Sequence, residues 1–181
     1  NPGKNIFLIG ESMGALICFL IVIYKPQLFS GLICISPAFA SRLKFSFLTY
    51  IKIIFAIGFA PKKQFNMPFD AQMLTQDVDY RNEINSNSWE HRMATAKLLL
   101  NILIAQVQAK FFKNKIKIPT LFLLSQDDKL ADSNVSLKIF QALRIKDKEI
   151  INYPDMYHAL SIDVGREKVF EDILSWVEKR L

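Results

Sequence analysis

The 181 residues are enough for one domain with an insertion. A hydrophobic content of 51% with 22% charged residues can fill a core and stay in solution, which excludes a disordered, collagen-like or disulfide-stapled chain. The net charge of +6 is scattered as lysines among Phe and Ile, with no focused basic stripe, so no nucleic-acid partner is expected; the charge serves solubility, an anionic membrane surface or an anionic substrate.

In chain order, residues 5–9 form a short apolar run ending at Gly10 and predict a buried strand. Residues 15–24 are apolar nearly all round and predict a buried helix. Lys25-Pro26 ends it, because the residue before a proline avoids helical angles. Residues 31–35 predict a second buried strand, closed by Ser36-Pro37. Residues 42–60 are strongly apolar and predict a helix broken by Pro61-Lys62-Lys63, and residues 64–87 read as loop. Ser88 reads as the cap of an amphipathic helix over residues 89–110, with Trp89, Met93, Ala96, Leu100, Leu103 and Val107 at spacings of three and four. A strand is predicted over residues 120–124, a helix over 133–143 and a strand over 149–153. The last helix is predicted over 166–179, with Val169, Ile173, Trp176 and Val177 facing inward.

Strands alternating with helices imply an α/β fold, a parallel sheet of about four strands covered on both faces. Residues 1–37 and 118–181 are expected to form the core, and residues 38–117 a helical cap inserted into it. No run reaches the roughly 18 apolar residues of a membrane-spanning helix. Cys18 and Cys34 lie in apolar runs without metal-ligand spacing, so buried free thiols and a reducing, cytoplasmic compartment are expected.

The chemistry centres on Gly10-Glu11-Ser12-Met13-Gly14, a G-x-S-x-G pattern between a predicted strand and a predicted helix. A sharp turn there would hold Ser12 in strained angles at the C-terminal end of the sheet, with Gly10 and Gly14 letting backbone pass close. A serine hydroxyl needs a base. Of the two histidines, His91 sits in the predicted helix of the insertion, whereas His158 follows the last strand, where parallel sheets place their sites. The base needs an orienting acid. Asp127, Asp128 and Asp132 all follow the strand over 120–124, and spacing does not choose among them. The order Ser, Asp, His is that of α/β-hydrolases.

The run Phe7-Leu8-Ile9-Gly10-Glu11-Ser12-Met13-Gly14-Ala15 resembles the nucleophile region of the monoacylglycerol lipase and lysophospholipase group of α/β-hydrolases, which overlaps the serine aminopeptidase S33 family. The likeness continues through residues 118–124, 128–132, 157–160 and 169–177. The resemblance implies a serine ester hydrolase with Ser12 as nucleophile, His158 as base and the Met13 N–H as one oxyanion donor. It selects Asp128 as the acid, because the family's acid is followed by one residue and then an apolar pair, here Lys129, Leu130 and Ala131. The family usually has glycine where this chain has Ser125 and Asp155, both tolerable in turns. Only Asn1–Lys4 precede the first strand, where the family carries several strands and a loop with a second oxyanion donor. A fragment of a longer protein is therefore expected, with an open hydrophobic edge at its first strand.

The implied substrate is a small lipid-like acyl ester, of monoacylglycerol or lysophospholipid type, cleaved through an acyl-enzyme with no metal or organic cofactor. Phe45, Phe55 and Phe59 are expected to bind the acyl chain. Together with Lys44, Lys52, Lys62 and Lys63 they would alternatively make a peripheral membrane contact through the cap. An S33-type aminopeptidase or amidase is a second reading, with Asp70, Asp77, Asp79, Glu83 and Glu90 as acidic partners for a free amine. An inactive remnant is a third. Nothing in the sequence sets an oligomeric state.

Overall fold

Side-chain alternation along two short strands organises the molecule. The computed structural model describes residues 5–87 and 92–181; the expectations for Ser88, Trp89, Glu90 and His91 lie outside the described residues. Strands β2 (Gly31–Ile35) and β5 (Thr120–Ser125) are buried along their whole length. Successive side chains of a strand point to opposite faces. Leu32, Cys34, Phe122 and Leu124 therefore join one core cluster, and Ile33, Ile35, Leu121 and Leu123 join the other. Strand β1 (Phe7–Glu11) pairs with β2, and β6 (Lys148–Tyr153) pairs with β5. All pairings are parallel in the order β1-β2-β5-β6, so every C-terminal end lies on one rim of a four-stranded sheet.

Helices cover both faces, as the alternation implied. Helix α1 (Met13–Tyr24) contributes Leu16, Phe19 and Val22 to the first cluster. Helix α6 (Arg166–Glu178) contributes Val169 and Trp176 to the second, with Ile173 and Val177 packed behind them. Helix α5 (Ser133–Ala142) adds Ile139 and Phe140 to the first face. Cys18 and Cys34 are free and buried. Among the described residues no helix is long and apolar enough to cross a membrane.

The segment between β2 and β5 departs most from expectation. Helix α2 (Phe47–Phe59) begins five residues later than residue 42, where the Ser46 hydroxyl accepts the Thr49 N–H. Residues 64–87 are not all loop. They hold strand β3 (Gln64–Asn66) and helix α3 (Val78–Ser86), whose start is set by the Asp77 carboxylate accepting the Asp79 and Tyr80 N–H groups. Helix α3 buries none of its residues, so it has no apolar stripe to betray it. Met93 lies in strand β4 (Met93–Thr95), antiparallel to β3, and helix α4 (Ala96–Phe112) starts after it, capped by Thr95. Of the face expected to be buried, Ala96 is buried but Leu103 and Val107 are exposed; α4 packs Ala96 and Leu99 into one cluster and Ala109 and Ala105 into another, on different sides of the helix. This helix is apolar around most of its circumference, so three-and-four spacing did not single out the correct face.

Helix α1 also differs from the expected all-round burial. Met13, Ile17, Ile21 and Tyr24 form an exposed stripe at spacings of four, four and three. Beside it, β1 pairs with no strand other than β2 among the described residues.

Candidate active site

Ser12 alone makes the turn between β1 and α1. Its backbone sits at φ 54°, ψ −119°, a region costly for a non-glycine residue by roughly 1–3 kcal/mol. Surrounding backbone holds it there: the Ser12 N–H donates to the Ile35 carbonyl at 2.8 Å, and the Ser12 carbonyl accepts from Leu16 and Ala38 at 3.2 and 3.1 Å. The close approach expected at the two glycines is one-sided. A Cβ on Gly10 would lie 2.6 Å from the Gly14 carbonyl carbon and oxygen and 2.7 Å from the Ala15 nitrogen, whereas a Cβ on Gly14 would meet nothing within 4 Å. Gly14 supplies the crowding backbone, and Gly10 is the position that must lack a side chain.

Asp128 follows β5 and is buried. Its Oδ1 accepts the N–H groups of Leu130 and Ala131, both at 2.8 Å, and its Oδ2 meets His158 Nδ1 at 2.8 Å. The other two aspartates are elsewhere: Asp127 is exposed, and Asp132 caps α5 by accepting the Asn134 N–H. His158, in the loop after β6, is also buried, and its Nε2 lies 2.7 Å from Ser12 Oγ. An ionised carboxylate only accepts hydrogen bonds. The tautomer that satisfies both contacts therefore has Nδ1–H donating to Asp128 and Nε2 accepting from Ser12.

Several groups that fix the histidine loop were not anticipated. The Glu11 carboxylate accepts the Ser161 N–H at 3.1 Å and its hydroxyl at 2.6 Å. The buried Ser125 hydroxyl, at the position where the family resembled usually has glycine, donates to the Met156 carbonyl at 2.5 Å. Asp163, also buried, accepts the Tyr157 N–H at 2.5 Å. Glu11 was in plain view inside the G-x-S-x-G pattern, but nothing local in the sequence announces Ser161 or Asp163 as partners.

Met13 opens α1, and the first N–H groups of a helix have no acceptor within it. The three phenylalanines are not gathered with Ser12, Asp128 and His158. Phe45 is half-buried, packs beside Ile53, Ala56 and Phe65, and lines a groove of about 610 Å³ together with Lys44, Lys52 and Lys63. Phe55 and Phe59 stack on each other with centroids 4.5 Å apart and are 65% and 77% exposed. Of the acidic residues considered for an amine site, Asp70 and Asp77 cap helical turns, and Asp77 pairs with Arg166 at 3.0 Å. Among the described residues no cluster of three or more His, Cys, Asp or Glu is placed to hold a metal ion.

Comparison with known proteins follows the same lines. The monoglyceride lipase of Mus musculus is 25% identical over 184 residues, covering 99% of this chain and 60% of its own length. The phospholipase YtpA of Bacillus subtilis is 26% identical over 172 residues, with 92% of this chain and 65% of its own length covered. The crystal structure of the Paleococcus ferrophilus monoacylglycerol lipase superposes with a TM-score of 0.90 at 24% identity, covering 99% of this chain and 70% of that one. The chain thus spans about 60% of the length of the monoglyceride lipases it matches. The family described as serine aminopeptidase, S33, matches residues 1–165, and with its covered parallel sheet the chain belongs to that family of α/β-hydrolases.

Proposed function

We propose that the protein is a serine hydrolase that cleaves lipid-like acyl esters of monoacylglycerol or lysophospholipid type. One observation carries this reading: a hydrogen-bonded line from Ser12 Oγ through the His158 imidazole to Asp128, with steps of 2.7 and 2.8 Å. Ser12 attacks the ester carbonyl carbon while Nε2 takes its proton and then gives it to the departing alcohol. Asp128 stays ionised, since its Oδ1 accepts two backbone N–H groups, and its Oδ2 holds Nδ1–H and stabilises the imidazolium. The Met13 N–H serves as one donor to the oxyanion. Water, activated by the same imidazole, then releases the acyl group from Ser12.

The names of the relatives, a monoglyceride lipase and a phospholipase, support a lipid ester. So does α2, where Phe47, Leu48, Ile51, Ile54, Phe55 and Phe59 are all exposed on one short helix. Apolar exposure on this scale marks a contact surface. With Lys44, Lys52, Lys62 and Lys63 around it, the surface suits a peripheral contact with an anionic lipid interface. The aminopeptidase reading is weaker, because Asp70 and Asp77 are already engaged as caps.

A fluorophosphonate probe tests the reading. It should label the wild-type chain and leave Ser12→Ala unlabelled; equal labelling of both would overturn it. Hydrolysis of a medium-chain nitrophenyl ester in preference to the acetyl ester and to a proline nitroanilide is the expected substrate order.

A further inference from the structure

The loop that carries His158 is tied to the insertion as well as to the sheet. On the sheet side, Glu11 holds Ser161, and Ser125 holds Met156. On the insertion side, Asp163 is fully buried and takes three donors. Its Oδ1 accepts the Thr75 hydroxyl at 2.9 Å and the Gln76 N–H at 2.6 Å, and its Oδ2 accepts the Tyr157 N–H at 2.5 Å. The Ala159 N–H donates to the Leu74 carbonyl at 2.8 Å, and the Gln76 side-chain amide donates to the Asp155 carbonyl. Around this knot, Arg81 Nε donates to the Thr75 carbonyl at 2.7 Å, and Arg166 pairs with Asp77. The residues on either side of His158 are therefore fixed by residues 74–76, Tyr157 through Asp163 and Ala159 through Leu74.

We infer that Asp163 is a positioning residue for His158, and that residues 74–76 are its anchor, so the imidazole stays against Ser12 only while this part of the insertion is seated. The inference rests on the Ser12–His158–Asp128 reading above. A fully buried carboxylate with three donors has no water to replace a lost partner, so its removal leaves donors unsatisfied. The first donor to suffer is the N–H next to the histidine. Catalytic geometry tolerates little of this: a misplacement of about 1 Å can cost on the order of 10²-fold in rate.

Two near-isosteric variants test it. In Asp163→Asn the new amide N–H₂ confronts one set of backbone or hydroxyl donors, and Thr75→Val keeps the shape but removes the hydroxyl that donates to Asp163 and accepts the Asp77 N–H. The first readout needs no turnover: the proton-NMR resonance of His158 Nδ1–H in its bond to Asp128. It should be sharp in the wild type, displaced and broadened in Asp163→Asn, and displaced less in Thr75→Val, while circular dichroism shows the fold intact. The second readout is fluorophosphonate labelling of Ser12. The end point should remain complete while the rate falls at least about 30-fold in Asp163→Asn and about 5-fold in Thr75→Val, within the range for lost alignment. An unmoved resonance and wild-type labelling rates in folded variants would overturn the coupling. So would a rate that falls only in proportion to an incomplete end point, which marks a purely structural role. Should Asp163→Asn not fold, Thr75→Val decides alone. A wild-type chain with neither resonance nor labelling refutes the hydrogen-bonded line itself, a distinct outcome.

Discussion

The carboxylate of Glu11 grips Ser161 twice, once at its N–H and once at its hydroxyl, and so joins the residue before Ser12 to the loop that carries His158. The bond spans 150 positions of sequence, from the neighbour of Ser12 to a residue three places beyond His158. Glu11→Gln keeps the shape, and the Ser161 hydroxyl can turn to accept from the new amide, so both contacts survive but lose the charge that strengthens them. Ser12 labelling should slow by about tenfold, equivalent to about 1.4 kcal/mol, and Glu11→Ala should slow it further. Stopped-time labelling with a fluorophosphonate measures both.

The two glycines of the motif should respond in opposite ways. A methyl group at Gly10 would collide with the backbone of Gly14 and Ala15, which cannot move without displacing α1. Gly10→Ala should cost about 3 kcal/mol or more in urea unfolding. At Gly14 the same methyl group enters open space in a helical turn, where alanine is favoured over glycine by roughly 0.5–1 kcal/mol. Gly14→Ala should therefore unfold at equal or higher urea.

The aspartates after β5 separate cleanly by role. Asp128→Asn preserves volume but no longer enforces the Nδ1–H tautomer of His158, and the labelling rate should fall by about 10³–10⁴. Asp132→Ala removes the α5 cap and should lower stability by about 1 kcal/mol with the rate unaltered. Asp127→Ala, at an exposed position, should change neither. Parallel melting and labelling curves of the three variants check the assignment.

Alkaline pH should destabilise the fold. Burial pushes the Cys34 thiol well above its ordinary value of 9.0, with the nearby Cys18 adding to the effect. Burial, then the hydrogen bond to Asp172, raises the Tyr153 hydroxyl from its ordinary 10.0. Both groups hold their protons in the folded chain at a pH where the unfolded chain releases them, so the unfolded state binds fewer protons and stability falls as pH rises. The melting temperature should be flat with respect to these groups below about pH 9 and decline above it. Cys34→Ser should reduce that decline, and iodoacetamide should modify Cys34 only after denaturant is added.

The legible parts of this fold were those where one physical signal dominates. Strand β2 and the outer limits of α6 stood out because uninterrupted apolar runs and inward-facing Val169 and Trp176 leave little choice. Ser12 stood out because a strand, a tight glycine turn and a helix start coincide. Where signals conflict, the reading failed. The buried face of α4 was misjudged because apolar residues surround the helix, and α3 was missed because its start depends on a single Asp77 cap. Phe55 and Phe59, expected to meet an acyl chain or a membrane surface, stack on each other in the open, a detail out of reach because composition says that a helix is apolar but not which side is covered. Asp128 could not be separated from its neighbours by spacing, because the distinction is three-dimensional: it alone turns inward to His158.

The dihedral angles of Ser12 suit glycine better than any residue with a β-carbon. The Ser12→Gly chain would shed that conformational burden and should survive heating longer than its parent. Keeping a hydroxyl at that backbone position thus costs the fold durability, and sequence selection for heat resistance alone would replace it with glycine.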